Sequence, residues 1–148
     1  MQPGKPVHAT AIVLADRGVL IRGVSGSGKT TLALELFARA RYAGLFAALV
    51  CDDQVPLSLL GDRVVGATAH TIAGLVEVRG LTPRPMPWTS AAVIDLVVTL
   101  VDSADAPRYR EPETEMLAGR PIDTLVLPAR ERSGNADAVF FRLGLRPF

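Results

Sequence analysis

The segment Gly23-Val24-Ser25-Gly26-Ser27-Gly28-Lys29-Thr30 constrains this chain more than any other. It fits G-x-x-x-x-G-K-[ST], the phosphate-binding P-loop or Walker A pattern. Its glycines let the backbone fold tightly and turn successive N–H groups toward one point. With the positive end of a following helix, those groups make an anion cradle. In such a loop Lys29 reaches the β- and γ-phosphates and the Thr30 hydroxyl ligates Mg²⁺. The flanking residues supply the required context. Gly18-Val19-Leu20-Ile21-Arg22 reads as a short strand, and Thr30 to Arg41 carries Leu32, Leu36 and Ala40, and Ala33 and Phe37, at i, i+4 spacing. Strand, loop and helix in that order are what the pattern demands.

At 148 residues the chain is expected to form one domain spanning 1–148. Hydrophobic residues at 49% and charged residues at 21% give an ordinary globular composition. A net charge of +1 makes no electrostatic case for nucleic acid or a membrane surface as partner. Cys51 is the single cysteine, so no internal disulfide can form. Met1 to His8 lacks the apolar core of a signal peptide. Apolar runs break well before the ~18 residues of a spanning helix. A cytoplasmic location is the expectation.

Val7 to Leu14 reads as a strand, Asp16-Arg17-Gly18 as a turn and Val19 to Arg22 as the return strand that delivers the loop. The helix should stop near Ala43-Gly44. Leu45 to Cys51 reads as a buried strand, and Val55 to Leu60 with Arg63 to Thr68 as a hairpin. Thr71 to Val78 is ambiguous between helix and strand. Thr82 to Pro87, with three prolines, should be irregular. Val93 to Val101 and Ile122 to Leu127 read as strands, Asp102 to Gly119 as loop with one helical turn at Glu113 to Leu117, and Asp137 to Leu143 as a short helix. The fold class is α/β, with a mixed β-sheet around one P-loop helix rather than regular βα alternation.

Asp52-Asp53 ends an apolar strand about twenty residues after Lys29. A carboxylate in that position holds Mg²⁺ or its water in P-loop enzymes. Two adjacent carboxylates allow one to serve the metal and the other to take a proton from an attacking hydroxyl. Successive strand side chains face opposite ways, so both reach one site only if the strand has ended. A solvated turn cap is the competing reading. Spacing alone leaves His8 as a structural strand residue. Glu77 and Arg79 share a face if their segment is a strand, and as a surface ion pair they contribute about 0–1 kcal/mol. Arg108, Arg110, Arg130 and Arg132 fall in loops, where each can be a solvated charge or can neutralise a phosphoryl group. Trp88 reads as a core or interface anchor.

In order, Val7-His8-Ala9, Gly23 to Thr30, Leu49-Val50-Cys51-Asp52-Asp53-Gln54-Val55 and Leu75-Val76-Glu77-Val78-Arg79-Gly80-Leu81 resemble the catalytic domain of HPr kinase/phosphorylase. The resemblance runs from His8 to Leu143, and the chain looks like the short alphaproteobacterial form without the additional N-terminal domain. It implies a P-loop domain related to phosphoenolpyruvate carboxykinase. It implies ATP- and Mg²⁺-dependent phosphorylation of a serine on the phosphocarrier protein HPr and, in many members, phosphorolysis of that phosphoserine to pyrophosphate. A homo-oligomer, a hexamer in the family, is implied as well. On this resemblance His8 is catalytic, Lys29 is the P-loop lysine and Thr30 the metal hydroxyl. Asp53 exchanges the serine proton, Glu77 with Asp52 completes the metal set, and Arg108 is the catalytic arginine.

The chain departs from the family at Thr31, where an acidic residue is usual. It departs again in a longer stretch around Arg39 to Leu45 and at Thr82-Pro83-Arg84-Pro85. The late family loop V-[RK]-P-G-R-N, linked to phosphorolysis, corresponds to Ala129-Arg130-Glu131-Arg132-Ser133-Gly134-Asn135. Glu131 there would repel inorganic phosphate or capture an arginine meant to bind it. The leading expectation is an HPr serine kinase with weak or lost phosphorylase activity. A nucleotide-binding regulator without transfer chemistry and a small-molecule kinase on the same core are the alternatives.

Overall fold

The computed structural model describes residues 5–78, 80–108 and 113–145. Strands β1 (Pro6–Leu14) and β2 (Arg17–Gly23) form an antiparallel hairpin, followed by helix α1 (Lys29–Tyr42) and strand β3 (Ala47–Cys51). A second hairpin, β4 (Gln54–Leu60) and β5 (Arg63–Ala67), leads through a 3₁₀ turn at His70–Ile72 to the short pair β6 (Leu75–Val76) and β7 (Arg84–Pro85). The long strand β8 (Ala91–Val101), a 3₁₀ turn at Ser103–Asp105, the hairpin β9 (Glu113–Leu117) and β10 (Arg120–Pro128), and helix α2 (Arg132–Leu143) follow.

The main sheet is mixed. β1 pairs antiparallel with β2 and β3, β2 pairs parallel with β8, β8 pairs parallel with β10, and β10 pairs antiparallel with β9. The hairpin β4–β5 bridges the starts of β1 and β8. Alternation along the strands divides the apolar residues between two faces. Ile12, Leu14, Val19, Ile21, Val98 and Leu100 pack with Leu32 and Leu36 of α1 and Phe140 of α2. Ala11, Val13, Leu20 and Val97 pack with Val55, Leu57 and Val64 of the hairpin. The α/β class and the mixed sheet agree with the sequence reading.

Helix α1 buries Leu32, Ala33, Leu36 and Ala40, the stripe expected of an amphipathic helix. It ends as its glycine dictates. Gly44 sits at φ +80°, its N–H donates to Arg41 O, and the Leu45 N–H donates to Ala40 O, which closes the last turn.

Several local expectations are corrected. Glu113 to Leu117 is a strand, not a helical turn. It returns into β10 through Ala118 and Gly119, both at positive φ (+50° and +80°), the tight hairpin geometry that matches strand twist. Alanine is unusual there, which hid the signal. The first hairpin turns at Ala15-Asp16, so Arg17 and Gly18 already belong to β2. Arg84-Pro85 is a two-residue strand within the stretch expected to be irregular, on an edge where proline needs no ladder partner. Helix α2 starts at Arg132, five residues earlier than expected, and packs beside α1, so among the described residues two helices rather than one cover the sheet.

Gly18 is required by close approach. A Cβ there would fall 1.9 Å from the Val93 carbonyl oxygen. Gly18→Ala should therefore destabilise the domain by about 3 kcal/mol in denaturant titrations, by strain in a packed sheet. Gly61→Ala, at φ +63° with nothing within 4 Å of the added Cβ, should cost only about 1 kcal/mol.

Candidate active site

The loop from Gly23 to Gly28 leaves the end of β2 and enters α1. Gly26 and Gly28 adopt φ +82° and +97°, and the Ser27 N–H donates to Val24 O at 3.0 Å. Gly23 has no room for a side chain, because a Cβ would lie 2.4 Å from Ser27 Oγ. The Lys29 ammonium is largely buried and donates to Gly23 O at 2.9 Å and Val24 O at 3.2 Å. These carbonyls hold the lysine over the loop's concave side, where an anion would offer it stronger, charge-assisted bonds.

The strand β3 ends at Cys51, and the chain then bends. Asp52 is 5% exposed and accepts from three parts of the chain. Thr10 Oγ1 donates to its Oδ1 at 2.7 Å, Thr30 Oγ1 donates to Oδ1 at 3.0 Å, and the Glu77 N–H donates to Oδ2 at 3.0 Å. Asp53 stands in the left-handed region at φ +78°, a conformation aspartate tolerates better than most residues. Its carbonyl accepts from the Ala9 N–H at 3.0 Å. Its carboxylate is 61% exposed and lies 3.3 Å from His8 Nε2. The ended strand thus brings both aspartates to one site, the condition the sequence reading had set.

A cavity of about 640 Å³ holds this group together. His8, Gly26, Lys29, Thr30, Asp52, Asp53 and Glu77 contribute to its lining. The exposed Glu77 lies beyond the end of β6 rather than within a strand. Arg79 and Arg110 lie outside the described residues. Arg108 is exposed, follows the 3₁₀ turn at Ser103–Asp105 and does not contribute to the cavity. Trp88 is half-exposed and lies against Gly74, where a Cβ would sit 2.5 Å from its ring. Behind the aspartates, burial pushes the Cys51 thiol above its usual range, and the thiol donates to Gln54 O at 3.0 Å.

Three residues join the site that sequence reasoning did not single out or did not place. Thr10 follows His8 by two positions on β1, and that period-two spacing was the available signal. Glu35, one turn after Thr31 on α1, lines the cavity and pairs with Arg39 at 3.0 Å. Arg130 was one of four loop arginines. Its N–H donates to Ser27 O at 3.1 Å, and its guanidinium donates to Gly26 O at 3.0 Å while lying 3.9 Å from Asp102. It therefore packs on the loop and is not captured by Glu131.

The donor set suits Mg²⁺. Thr30 Oγ1, the Asp52 carboxylate and Glu77 offer hard oxygen ligands. Mg²⁺ commonly binds through one or two carboxylates while keeping waters and phosphate oxygens. No cluster of three or more acidic, histidine or cysteine ligands occurs among the described residues, as that mode of binding requires none.

The model for the HPr Serine kinase C-terminal domain matches residues 1–82, more than half of the chain. This chain belongs to that family. An HPr kinase/phosphorylase of Burkholderia lata is 34% identical over 136 residues, covering 86% of this chain and 39% of that protein. One from Clostridium tetani is 33% identical over 98 residues, covering 65% of this chain and 30% of that protein. The chain thus spans well under half the length of these HPr kinase/phosphorylase relatives. A solved structure titled Hpr(Ser) kinase/phosphatase from Coxiella burnetii superposes with a TM-score of 0.79 at 22% identity, covering 95% of this chain and 88% of that one. That superposition shows a shared fold. Among the described residues no helix is long and apolar enough to cross a membrane.

The two aspartates should differ in what their removal costs. Asp52→Ala strands the buried donors of Thr10 and the Glu77 backbone and should destabilise the domain by about 3 kcal/mol. Asp53→Asn, at an exposed side chain, should stay within about 0.5 kcal/mol of the parent. Paired urea titrations check both.

Proposed function

We propose that this domain is an ATP-dependent protein-serine kinase acting on the phosphocarrier protein HPr. The observation that carries the reading is the Asp53–His8 pair, 3.3 Å apart, on the wall of the cavity that also contains Lys29, Thr30 and Asp52. Membership of the HPr serine kinase family supports the choice of substrate. The same resemblance supports assembly as a homo-oligomer, and a cytoplasmic site of action is part of the proposal.

In the proposed reaction the ATP phosphates lie on the N–H groups of residues 23–30. Lys29 exchanges the Gly23 and Val24 carbonyls for β- and γ-phosphate oxygens. The incoming serine hydroxyl sits beside Asp53, an exposed carboxylate able to accept its proton. The serine oxygen forms a bond to the γ-phosphorus as the bond from that phosphorus to the β,γ-bridging oxygen breaks, and ADP leaves. His8 orients the Asp53 carboxylate and offsets its charge when protonated. Thr30, Asp52 and Glu77 would hold Mg²⁺, which when bound neutralises charge on the phosphate oxygens. Phosphoryl transfer of this kind depends on positioning and electrostatics more than on covalent chemistry. Asp52 is buried with its oxygens engaged by three donors, so it is less accessible to an incoming hydroxyl than Asp53. Arg108 does not line the cavity, and its catalytic role rests on the family resemblance.

Asp53→Asn should abolish label transfer from radioactive ATP to HPr while leaving ATP affinity within about twofold of the parent, since the substitution removes only the proton acceptor. HPr lacking its serine should take up no label from either protein. Unchanged turnover in Asp53→Asn would overturn the assignment.

Phosphorolysis is expected to be weak. Glu131 lies beside Gly28 and Thr31, and its charge opposes entry of inorganic phosphate next to the loop. Incubation of phosphoserine-HPr with phosphate should yield little pyrophosphate. Robust release would show that Glu131 does not obstruct the reverse reaction.

A further inference from the structure

The sheet face away from the two helices carries a polar row. Its apolar cluster includes Leu20 of β2, Val97 of β8 and Leu117 of β9, with Ile122 of β10 packed against it. Two positions from each, on the same face, stand Arg22, Thr99, Glu115 and Thr124. Strands β2, β8 and β10 run parallel and β9 runs against them. All four steps therefore lead toward the end of the sheet from which the phosphate loop leaves.

These four side chains are bonded to one another. The Arg22 guanidinium donates through Nη2 to Thr99 Oγ1 at 3.3 Å and to Glu115 Oε1 at 2.5 Å. Thr124 Oγ1 donates to the same carboxylate oxygen at 3.0 Å. One arginine thereby ties β2 to β8 and, across β10, to β9. The Arg22 and Glu115 side chains are 28% and 32% exposed. A pair so open to water adds little to stability, and apolar replacements for ion pairs are often neutral. What the pair supplies is placement.

Placement matters because the β2–β8 ladder is irregular. Gly18 pairs with Ile94 and Val19 with Leu96, so Asp95 is an extra residue on β8. Past that bulge the height of β2 is set by the pairs from Val19 to Gly23. A one-residue slip would turn each side chain to the other face. Arg22 resists it, since its guanidinium would leave Thr99 and Glu115 for the apolar side under the helices. The next residue is Gly23, whose carbonyl accepts from the Lys29 ammonium at 2.9 Å.

We propose that Arg22 is a positioning residue. Its bonds to Thr99 and Glu115 fix the height at which β2 delivers the phosphate loop, and with it Lys29 relative to Asp53. This rests on the kinase reading of the site given above. Arg22 does not contribute to the lining of the active-site cavity, so it acts through Gly23 rather than on a substrate. Misplacing reacting groups by about 1 Å can cost about 10²-fold in rate.

Arg22→Met, Glu115→Gln and the double variant test the role. Arg22→Met keeps the length of the side chain and removes its charge. In hydrogen exchange read by mass spectrometry, residues 19–24 should exchange at least about tenfold faster in Arg22→Met, with β4 and β5 unchanged. Label transfer from ATP to HPr should fall at least about tenfold in kcat, with KM for HPr within about twofold of the parent. The double variant should be no slower than Arg22→Met, because both substitutions break one tie. If Arg22→Met does not fold, Glu115→Gln reads the same exchange. Unchanged exchange at residues 19–24, or faster exchange spread equally over β4 and β5, would overturn the positioning role. So would unchanged transfer by variants of an active parent, or losses that add in the double variant. A parent that transfers no phosphate would overturn the kinase reading, and the exchange pattern would still decide the role of Arg22.

Discussion

The carboxylate of Asp52 is the point on which the site hangs. A buried negative charge is costly in a protein interior unless donors replace the water it has lost. Here Thr10, Thr30 and the Glu77 backbone do so, from β1, the start of α1 and the segment after β6. One side chain thus ties three stretches of chain to the end of β3. The positions of the loop threonine, of Glu77 and of the turn that carries Asp53 all follow from that knot.

The neighbouring aspartate has the opposite environment. Asp53 is exposed, its backbone is left-handed, and its partner is His8 rather than a set of buried donors. A non-glycine residue held in that conformation costs on the order of 1 kcal/mol and persists where the surroundings impose it. The Ala9 N–H bonded to the Asp53 carbonyl is part of that imposition. Two identical side chains, adjacent in sequence, are therefore separated into a structural carboxylate and an available one. Such separation by environment is how a site obtains distinct roles from like groups.

Much of the fold was legible because its signals are local. The β1–β2 hairpin, the glycine loop, the apolar stripe of α1 and the β-branched run of β8 each announce themselves within a dozen residues. What escaped was whatever depended on an unusual residue in a turn or on distant partners. Ala118-Gly119 closes a tight hairpin without the Asn-Gly or Asp-Gly pair that marks most such turns, so β9 read as a helical turn. Thr10 looked like one more strand residue until a carboxylate 42 positions away was found against it. Arg130 and Arg108 were equal candidates as loop arginines. Only the first packs on the phosphate loop, through a contact between residues 104 positions apart.

By itself the amino-acid sequence determined that a phosphate loop joins a strand to a helix, that the sheet is mixed, and to which family the chain belongs. These rest on glycine freedom, side-chain period and residue order, all written along the chain. The tertiary structure alone decided which aspartate is buried, that His8 stands beside the exposed one, and that Arg130 packs on the phosphate loop. Those outcomes depend on where β3 stops relative to β1 and on how the late loop docks against α1. Long-range packing fixes both, and no local window of residues encodes it.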